Sequence, residues 1–197
     1  MKKINKTTLK LICLSLVMIG CVSCNLAGLD LQQDYKYNYA PIELKMKMTA
    51  YQFIESRKNI DMSLLYDAIN RAGVRDSFET QNRTYIAMND IAFSSYLTAK
   101  KYAGIKFVPI ADLKKLLNQY IIIGEYTTLG LTTFPLKVQT LDPAFQLALY
   151  LKTAAIDTQN KYYCYVTIWG KTTTTYVVTQ NLQPTNGVIH VVESYLQ

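Results

Sequence analysis

Histidine, tryptophan and charge are scarce in this sequence of 197 residues. It contains one histidine, His190, and one tryptophan, Trp169, and only 18% of its residues are charged. A single histidine argues against a histidine-rich zinc site, and against a Ser/His/Asp triad unless His190 is its base. The sequence also lacks a Gly-x-Ser-x-Gly element and a glycine-rich phosphate loop. Hydrophobic residues make up 50% of the chain, which excludes the disordered class. We therefore expect a folded protein with no metal, no cofactor and no catalytic residue.

The acidic residues leave one catalytic alternative open. Folding could bring two of the 14 carboxylates together, as in glycosidases. They are scattered singly along the chain, however, so the sequence favours a protein that is not an enzyme.

The first 23 residues have the pattern of a secretory signal peptide. Four lysines precede an uncharged apolar run, Leu11–Gly20. This run is shorter than the about 20 residues that cross a bilayer. Cys21 and Cys24 then follow small residues, which resembles the bacterial lipobox, where the cysteine becomes the lipidated first residue. We favour Cys24, because Val-Ser-Cys followed by Asn25 resembles lipoproteins of the Bacteroidetes type. Cys21 is the alternative, and ordinary cleavage without lipidation is another.

Cleavage of this signal peptide changes the charge of the chain. It removes four of the 21 basic residues and leaves a net charge of +3 in place of +7. A net charge of +3 does not indicate a nucleic-acid partner.

A lipid anchor would hold the protein on a membrane. Each buried acyl methylene contributes about 0.8 kcal/mol, so two or three acyl chains are enough. We expect an outer-membrane lipoprotein of the cell envelope, facing the periplasm or the surface, with a lipidated tether at residues 24–48.

A helix-rich first part and a strand-rich last third predict one α+β domain over residues 49–197. We expect four helices: one capped by Thr49 that runs through Arg57, one capped by Asp61 that stops at Gly73, one starting at Asn89 or Asp90, and Asp112–Tyr120. The third helix has four apolar residues along it: Ile91, Phe93, Tyr96 and Leu97. We expect six strands: Thr84–Ala87, Ile121–Ile123, Leu136–Thr140, Tyr162–Trp169, Thr174–Leu182 and Gly187–Glu193. Asp142–Thr153 is interpreted as a helix or helical insertion. This order predicts N-terminal helices packed on a mixed or antiparallel sheet, or on a wedge of two sheets.

Two segments of the domain carry recognisable motifs. The first, Thr84–Phe93, reads TYIAMNDIAF, and the second, Asn186–Leu196, reads NGVIHVVESYL. They resemble the paired signature boxes of the fasciclin-type domain. The matching positions are Thr84, Ala87, Asp90, Ala92, Phe93, Asn186, Gly187, Ile189, His190 and Leu196. Between the boxes the family has Leu-Leu-x-Tyr-His, where this chain has Gln119 and Tyr120 at the last two places.

These motif residues also have a structural interpretation. Asn186-Gly187 is typical of a turn before a strand. We interpret His190 as a buried imidazole hydrogen-bonded to backbone or to a hydroxyl. Asn89 and Asp90 are interpreted as a helix cap, not as a catalytic acid pair.

The resemblance implies an adhesion-like role. With 16 tyrosines, the chain can offer flat apolar faces that carry hydroxyls to a sugar or a protein. We expect a non-catalytic lipoprotein that binds extracellular protein, matrix or glycan. The alternative is an accessory subunit of an outer-membrane glycan-uptake complex, with a protein partner. A tyrosine-lined groove would favour sugar binding, and an exposed apolar patch without a groove would favour the subunit. One group of lysines could form a basic face toward anionic glycan or lipid headgroups: Lys100, Lys101, Lys106, Lys114 and Lys115.

Overall fold

The computed structural model describes residues 45–155, 162–170 and 172–196. The predicted signal peptide, both candidate lipidation sites, Cys21 and Cys24, and most of the predicted tether lie outside these residues. Those expectations therefore stay predictions. The described residues belong to one compact unit.

Helices occupy the first half of the described chain. The α-helices are α1 Ala50–Ser56, α2 Ser63–Ala72, α3 Asp90–Ala99 and α4 Ile110–Gln119. Short 3-10 helices lie at Arg75–Phe78, Ile105–Phe107 and Thr128–Gly130. Thr49 caps α1 as predicted. The cap is a capping box, because Thr49 Oγ1 accepts from the amide of Gln52 and the Gln52 side chain accepts from the amide of Thr49. Helix α4 begins two residues earlier than expected, after Pro109.

Within the described residues, seven strands form one mixed sheet in the order β2-β1-β7-β6-β5-β4-β3. They are β1 Arg83–Met88, β2 Ile121–Ile123, β3 Leu136–Gln139, β4 Gln146–Ala155, β5 Tyr162–Trp169, β6 Thr174–Leu182 and β7 Gly187–Val192. Strands β1 and β7 run parallel, and the other pairs are antiparallel. The α+β class is confirmed, with a single sheet instead of a wedge of two.

The two edges of this sheet approach each other. Ile122 of β2 forms an antiparallel bridge with Thr140, just after β3, and the amide of Leu141 donates to the carbonyl of Ile121 at 2.9 Å. The sheet is therefore nearly closed into a barrel, which leaves little of either edge free to pair with another chain.

The interpretation of Asp142–Thr153 as a helix is wrong, because Gln146–Ala155 is strand β4. Leu147 and Leu149 alternate into the core, while Ala148 and Tyr150 lie on the other face. Leucine and alanine also suit a helix, so periodicity alone was ambiguous here. Pairing with β3 on one side and β5 on the other decides for the strand.

The core lies between the helices and the sheet. Each helix contributes an apolar side, represented by Ile54, Leu65, Phe93 and Leu117, all buried. Of the four apolar residues expected along α3, three are buried and only Ile91 is not, with its side chain 60% exposed. Strand β7 is buried on both faces along its whole length, as expected for a central strand.

The end of the predicted tether is bound to the domain. Lys45 bridges Gln183 in parallel, and the amide of Met46 donates to the Gln183 carbonyl at 2.7 Å. The amide of Thr185 donates to the carbonyl of Met48 at 2.9 Å. Residues 45–48 therefore lie along the connection between β6 and β7 and precede α1 directly.

Candidate functional site

Thr84, the first residue of the first motif, binds β1 to the segment that follows β2. Thr84 is buried, and its Oγ1 donates to the carbonyl of Gly124 at 2.8 Å and accepts from the amide of Tyr126 at 2.9 Å. These bonds hold the chain after β2 against β1. Three further motif residues are buried in the core: Ala87, Ala92 and Phe93.

Asn89 and Asp90 act on the starts of two different helices. Asn89 Oδ1 accepts from the amide of Ala92 at 3.0 Å, so Asn89 caps α3. The Asp90 carboxylate instead accepts from the amide of Leu64 and from the hydroxyl of Ser63, both at 2.9 Å. Asp90 therefore binds the first turn of α2 from a distant part of the chain, and these two residues are structural caps.

The predicted capping role of Asp61 is wrong. The residue before α2 is Met62, which makes no capping bond through its side chain. The Asp61 carboxylate is held instead by the guanidinium of Arg57, at 2.6 and 2.7 Å. A bidentate pair of this kind is favoured by geometry and charge, so Asp61 is not available and Asp90 takes its place.

Asn186 is the centre of a buried hydrogen-bond network. Its Oδ1 accepts from the amide of Ala50 at 2.8 Å. Its Nδ2 donates to the carbonyl of Phe78 at 2.9 Å and to the hydroxyl of Tyr85 at 2.8 Å. The Tyr85 hydroxyl in turn donates to the carbonyl of Thr80. The side chain thus joins α1, the segment before β1, and β1 itself, which goes beyond the turn role expected from sequence.

Gly187 and Ile189 of the second motif also have structural roles, both in strand β7. Gly187 has φ +155° and faces the carbonyl of Arg83 in β1. Ile189 is fully buried in β7.

His190 is a buried neutral imidazole. No part of it reaches solvent, and its Nδ1 accepts from the amide of Asn181 at 3.4 Å. The proton therefore lies on Nε2, which donates to the carbonyl of Tyr126 at 2.8 Å. Burial lowers the pKa of His190 to about 4, and the hydrogen bond to Tyr126 opposes this shift only in part. This is the structural role that the sequence favoured.

We expect His190 to make the domain less stable in mild acid. In the unfolded chain the imidazole has its ordinary pKa of about 6.5, so it binds a proton that the buried ring does not. This contribution to stability is present above about pH 6.5 and is lost as the pH falls toward the folded pKa of about 4. The free energy of unfolding should fall by about 1 kcal/mol between pH 7 and pH 5.5 from this residue alone.

Urea unfolding at the two pH values measures this loss. The His190→Gln variant should lose that part of the pH dependence. If the variant keeps the full difference, other groups are responsible for it.

Leu196 is held by the residue that replaces the family's histidine. The Leu196 amide donates to the hydroxyl of Tyr120 at 2.6 Å, and burial raises the pKa of Tyr120. Gln119 beside it donates to the carboxylate of Asp142 at 3.0 Å. The motif residues are therefore mainly structural, and among them Leu196 also lines the cleft described next.

A cleft of about 490 Å³ lies between the end of α3, helix α4 and the segment after β7. Three tyrosines form an aromatic wall: Tyr96, Tyr102 and Tyr195. The rings of Tyr96 and Tyr195 meet edge to face with centroids 5.1 Å apart, and the Tyr102 ring lies 6.4 Å from that of Tyr96. The other lining residues are Lys100, Asp112, Lys115, Leu116, Gln119, Phe145, Thr172 and Leu196.

The polar groups of the cleft suit recognition of a polar ligand. The Tyr102 hydroxyl donates to the Asp112 carboxylate at 3.0 Å, and this bond raises the pKa of Tyr102. Burial raises the pKa of Tyr96 to about 12 and also raises that of Tyr195. All three rings are therefore neutral at physiological pH. The cleft combines aromatic faces and hydroxyls with two ammonium groups and one carboxylate, a set that can stack on a sugar ring and bind its hydroxyls.

The sequence predicted the types of residue in this cleft, tyrosine and lysine, but not which of them lie together. Of the five lysines expected to form one basic face, Lys100 and Lys115 line the cleft, and the other three do not. Tyr96 and Tyr102 stand on either side of the end of α3, and Tyr195 adjoins the motif residue Leu196, but no sequence signal shows that they meet.

The described ranges contain neither a cluster of metal-ligating side chains nor a helix that could span a membrane. There, histidine, cysteine, aspartate and glutamate side chains do not gather in threes as metal ligands would. Also within those ranges, every helix is too short or too polar to cross a bilayer.

Comparisons with known proteins agree with this fold. A family model described as the Fasciclin domain matches residues 61–197. Among solved structures, the chain is similar to a FAS1 domain pair from the insect cell adhesion molecule Fasciclin I, with a TM-score of 0.55 and 17% sequence identity. The match covers 71% of this chain and 46% of that one, so this chain spans less than half of that structure. At this identity the likeness shows the fold alone. No curated protein matches the chain.

Proposed function

The chain belongs to the fasciclin domain family, and from this premise we propose that it is a non-catalytic lipoprotein of the cell envelope that binds an extracellular glycan, matrix component or protein through the tyrosine-lined cleft. The cleft is the observation that carries this proposal, because three tyrosines meet there beside two lysines. The family supports the adhesion-like character of the role, since the similar insect structure comes from a cell adhesion molecule.

The lipid anchor is part of the proposal and is supported by sequence. The basic start, the short apolar run and a cysteine after small residues favour lipidation at Cys24, with Cys21 as the alternative. Such an anchor places the domain on the outer membrane, facing the periplasm or the surface. Growing cells with a labelled fatty acid and measuring the label attached to this protein tests the anchor. If Cys24→Ala keeps the label, Cys21 is the lipidated residue. If the parent chain carries no label, the lipid anchor is contradicted.

A glycan is the ligand best suited to the cleft. Sugar-binding sites commonly pair a flat apolar face with hydrogen-bonding groups around it. Tyr102 and Tyr195 are half-buried, so each keeps part of its ring available, whereas Tyr96 is buried behind them. Lys100 and Lys115 add donors that can bind sugar hydroxyls or carboxylates.

We expect Tyr102→Ala to weaken binding about tenfold, because a ring that stacks on its ligand contributes about 1 kcal/mol or more. A glycan and envelope-protein array, followed by titration calorimetry on the full-length chain in detergent, gives the affinities. Tyr176→Ala is the matched control, since Tyr176 is exposed on β6 outside the cleft. If both variants bind as the parent chain does, or if the control loses as much affinity as Tyr102→Ala, the cleft is not the site.

A second candidate is an accessory subunit of an outer-membrane glycan-uptake complex. Trp169, Tyr176 and Val178 favour it, because they are exposed on one face of β5 and β6, outside the cleft. An apolar face of this kind suits a protein partner better than a sugar. Cross-linking in intact cells tests this candidate with Trp169→Ser as the variant. Saturable sugar binding that depends on Tyr102 would count against it.

A further inference from the structure

Three exposed apolar residues follow closely in sequence where the chain enters α4. Phe107 is 57% exposed and Ile110 is 49% exposed, and Pro109 between them is also exposed. Val108 is fully buried and fixes this segment to the domain, so its neighbours project outward. Removing a phenylalanine or isoleucine side chain completely from water contributes about 1.5–3 kcal/mol, and about half of this remains to be gained while these side chains stay half exposed.

Basic side chains surround this apolar group. Lys106 Nζ lies 5.1 Å from the centre of the Phe107 ring. Lys114 follows Ile110 by one helical turn and lies on the same side of α4. The guanidinium of Arg71, on α2, is 3.4 Å from the carbonyl of Val108. We call Arg71, Lys106, Phe107, Pro109, Ile110 and Lys114 the basic-apolar patch.

The cations of the basic-apolar patch are not neutralised by ion pairs. In the described part of the chain the salt bridges are Arg57–Asp61 and Arg75–Glu79. The acidic residues nearest in sequence are Asp67, one turn before Arg71 on α2, and Asp112 on α4. Asp112 is bound to Tyr102 on the cleft side of α4. The patch therefore joins exposed apolar groups to unneutralised positive charge.

We infer that the basic-apolar patch docks on the surface of an anionic lipid bilayer. This occupant matches the patch in two respects, since its headgroups carry negative charge and its acyl region accepts side chains such as phenylalanine and isoleucine. Lysines suit this boundary because their stems lie along apolar surface while the ammonium groups reach the headgroups. Each such cation contributes about 1 kcal/mol near an anionic surface.

Docking by this patch would also orient the domain. At about 100° per residue, Ile110 and Lys114 lie about 40° apart on α4, whereas Asp112 of the cleft lies about 160° from Ile110. The cleft and the basic-apolar patch therefore occupy different sides of the same helix. The cleft would stay open to solvent while the patch rests on the membrane. The inference is thus independent of what the cleft binds.

A tryptophan reporter tests this docking in the full-length chain. The parent for the test carries Trp169→Phe, and Phe107→Trp then places one tryptophan in the patch. The vesicles contain phosphatidylcholine alone, or phosphatidylcholine mixed with phosphatidylglycerol, each with a fraction of lipids brominated on their acyl chains. We expect a blue shift and strong quenching of the Phe107→Trp reporter in the mixed vesicles only. Because the reporter senses its own position, the result does not depend on lipidation of Cys24.

Matched variants decide between docking and general adhesion. Leu129→Trp in the same parent is the control reporter, since Leu129 is 97% exposed outside the patch. It should show no quenching. Lys106→Gln with Lys114→Gln should reduce quenching of the patch reporter at least fivefold, and Lys137→Gln should not. Raised salt should act like the lysine variants. Equal quenching of both reporters, or none in the mixed vesicles, would overturn the inference.

Discussion

Replacing Gly187 by alanine is expected to destabilise the domain by more than about 3 kcal/mol. Gly187 has φ +155°, and a Cβ at this position would overlap the carbonyl oxygen of Arg83. These two residues form the first pair of the parallel strands β1 and β7, and each strand has a second neighbour, β2 or β6, on its other side. Neither backbone can move aside without disturbing its other neighbour, so strain and overpacking add to each other.

Urea unfolding followed by circular dichroism at pH 7 measures this loss. Gly130→Ala is the matched control, because a Cβ there would meet no atom within 4 Å. That substitution should change the free energy of unfolding by less than about 0.5 kcal/mol. A loss at Gly187→Ala as small as that of the control would mean that the close approach of β1 and β7 is not rigid.

The second large effect is expected at Asn186, where Asn186→Ala should cost about 3–4 kcal/mol. The substitution leaves the amide of Ala50 and the carbonyl of Phe78 without their partner inside the domain. Each buried polar group left unsatisfied costs about 1–3 kcal/mol. The Tyr85 hydroxyl keeps its bond to the carbonyl of Thr80, so losing its bond to Asn186 should cost less stability than leaving the Ala50 amide or the Phe78 carbonyl unpaired.

Asn59→Ala is the control for this prediction, since Asn59 is exposed in the turn before α2. It should have almost no effect on urea unfolding. A double-mutant cycle with Tyr85→Phe separates the network from simple loss of packing, and we expect non-additivity above about 0.5 kcal/mol. Additive losses, or equal losses at Asn186 and Asn59, would show that the side chain is not a centre of the core.

Elements with clear borders in sequence were predicted well. The expected strands Tyr162–Trp169 and Thr174–Leu182 coincide with β5 and β6, because β-branched and aromatic residues fill them and Gly170 stands between them. Helix α2 ends at Gly73 as expected, with φ +64°. In both cases the deciding information lies within a few residues of the element.

Features that depend on distant partners were not predictable in the same way. Strand β4 carries residues that suit both periods, and only its pairing with β3 and β5 decides between them. The start of α2 is bound by Asp90, which lies 26 residues after Leu64 in the sequence, so local patterns do not indicate this bond. The cleft depends on Tyr96 and Tyr195 meeting from positions about a hundred residues apart. Sequence therefore indicated the fold and its motif residues but not the site.

The position of β7 has a consequence for how the domain is made. Its neighbour β1 is synthesised roughly a hundred residues earlier, and the two strands can pair only after residues 187–192 have been made. Until then β1 has an open side, and Asn186 cannot yet join α1 to the segment before β1. Loop closure over such a distance is slow compared with helix formation. A chain that has not yet reached β7 is thus open to aggregation or proteolysis during synthesis, and a truncation after Gly187 would remove most of β7 along with Leu196.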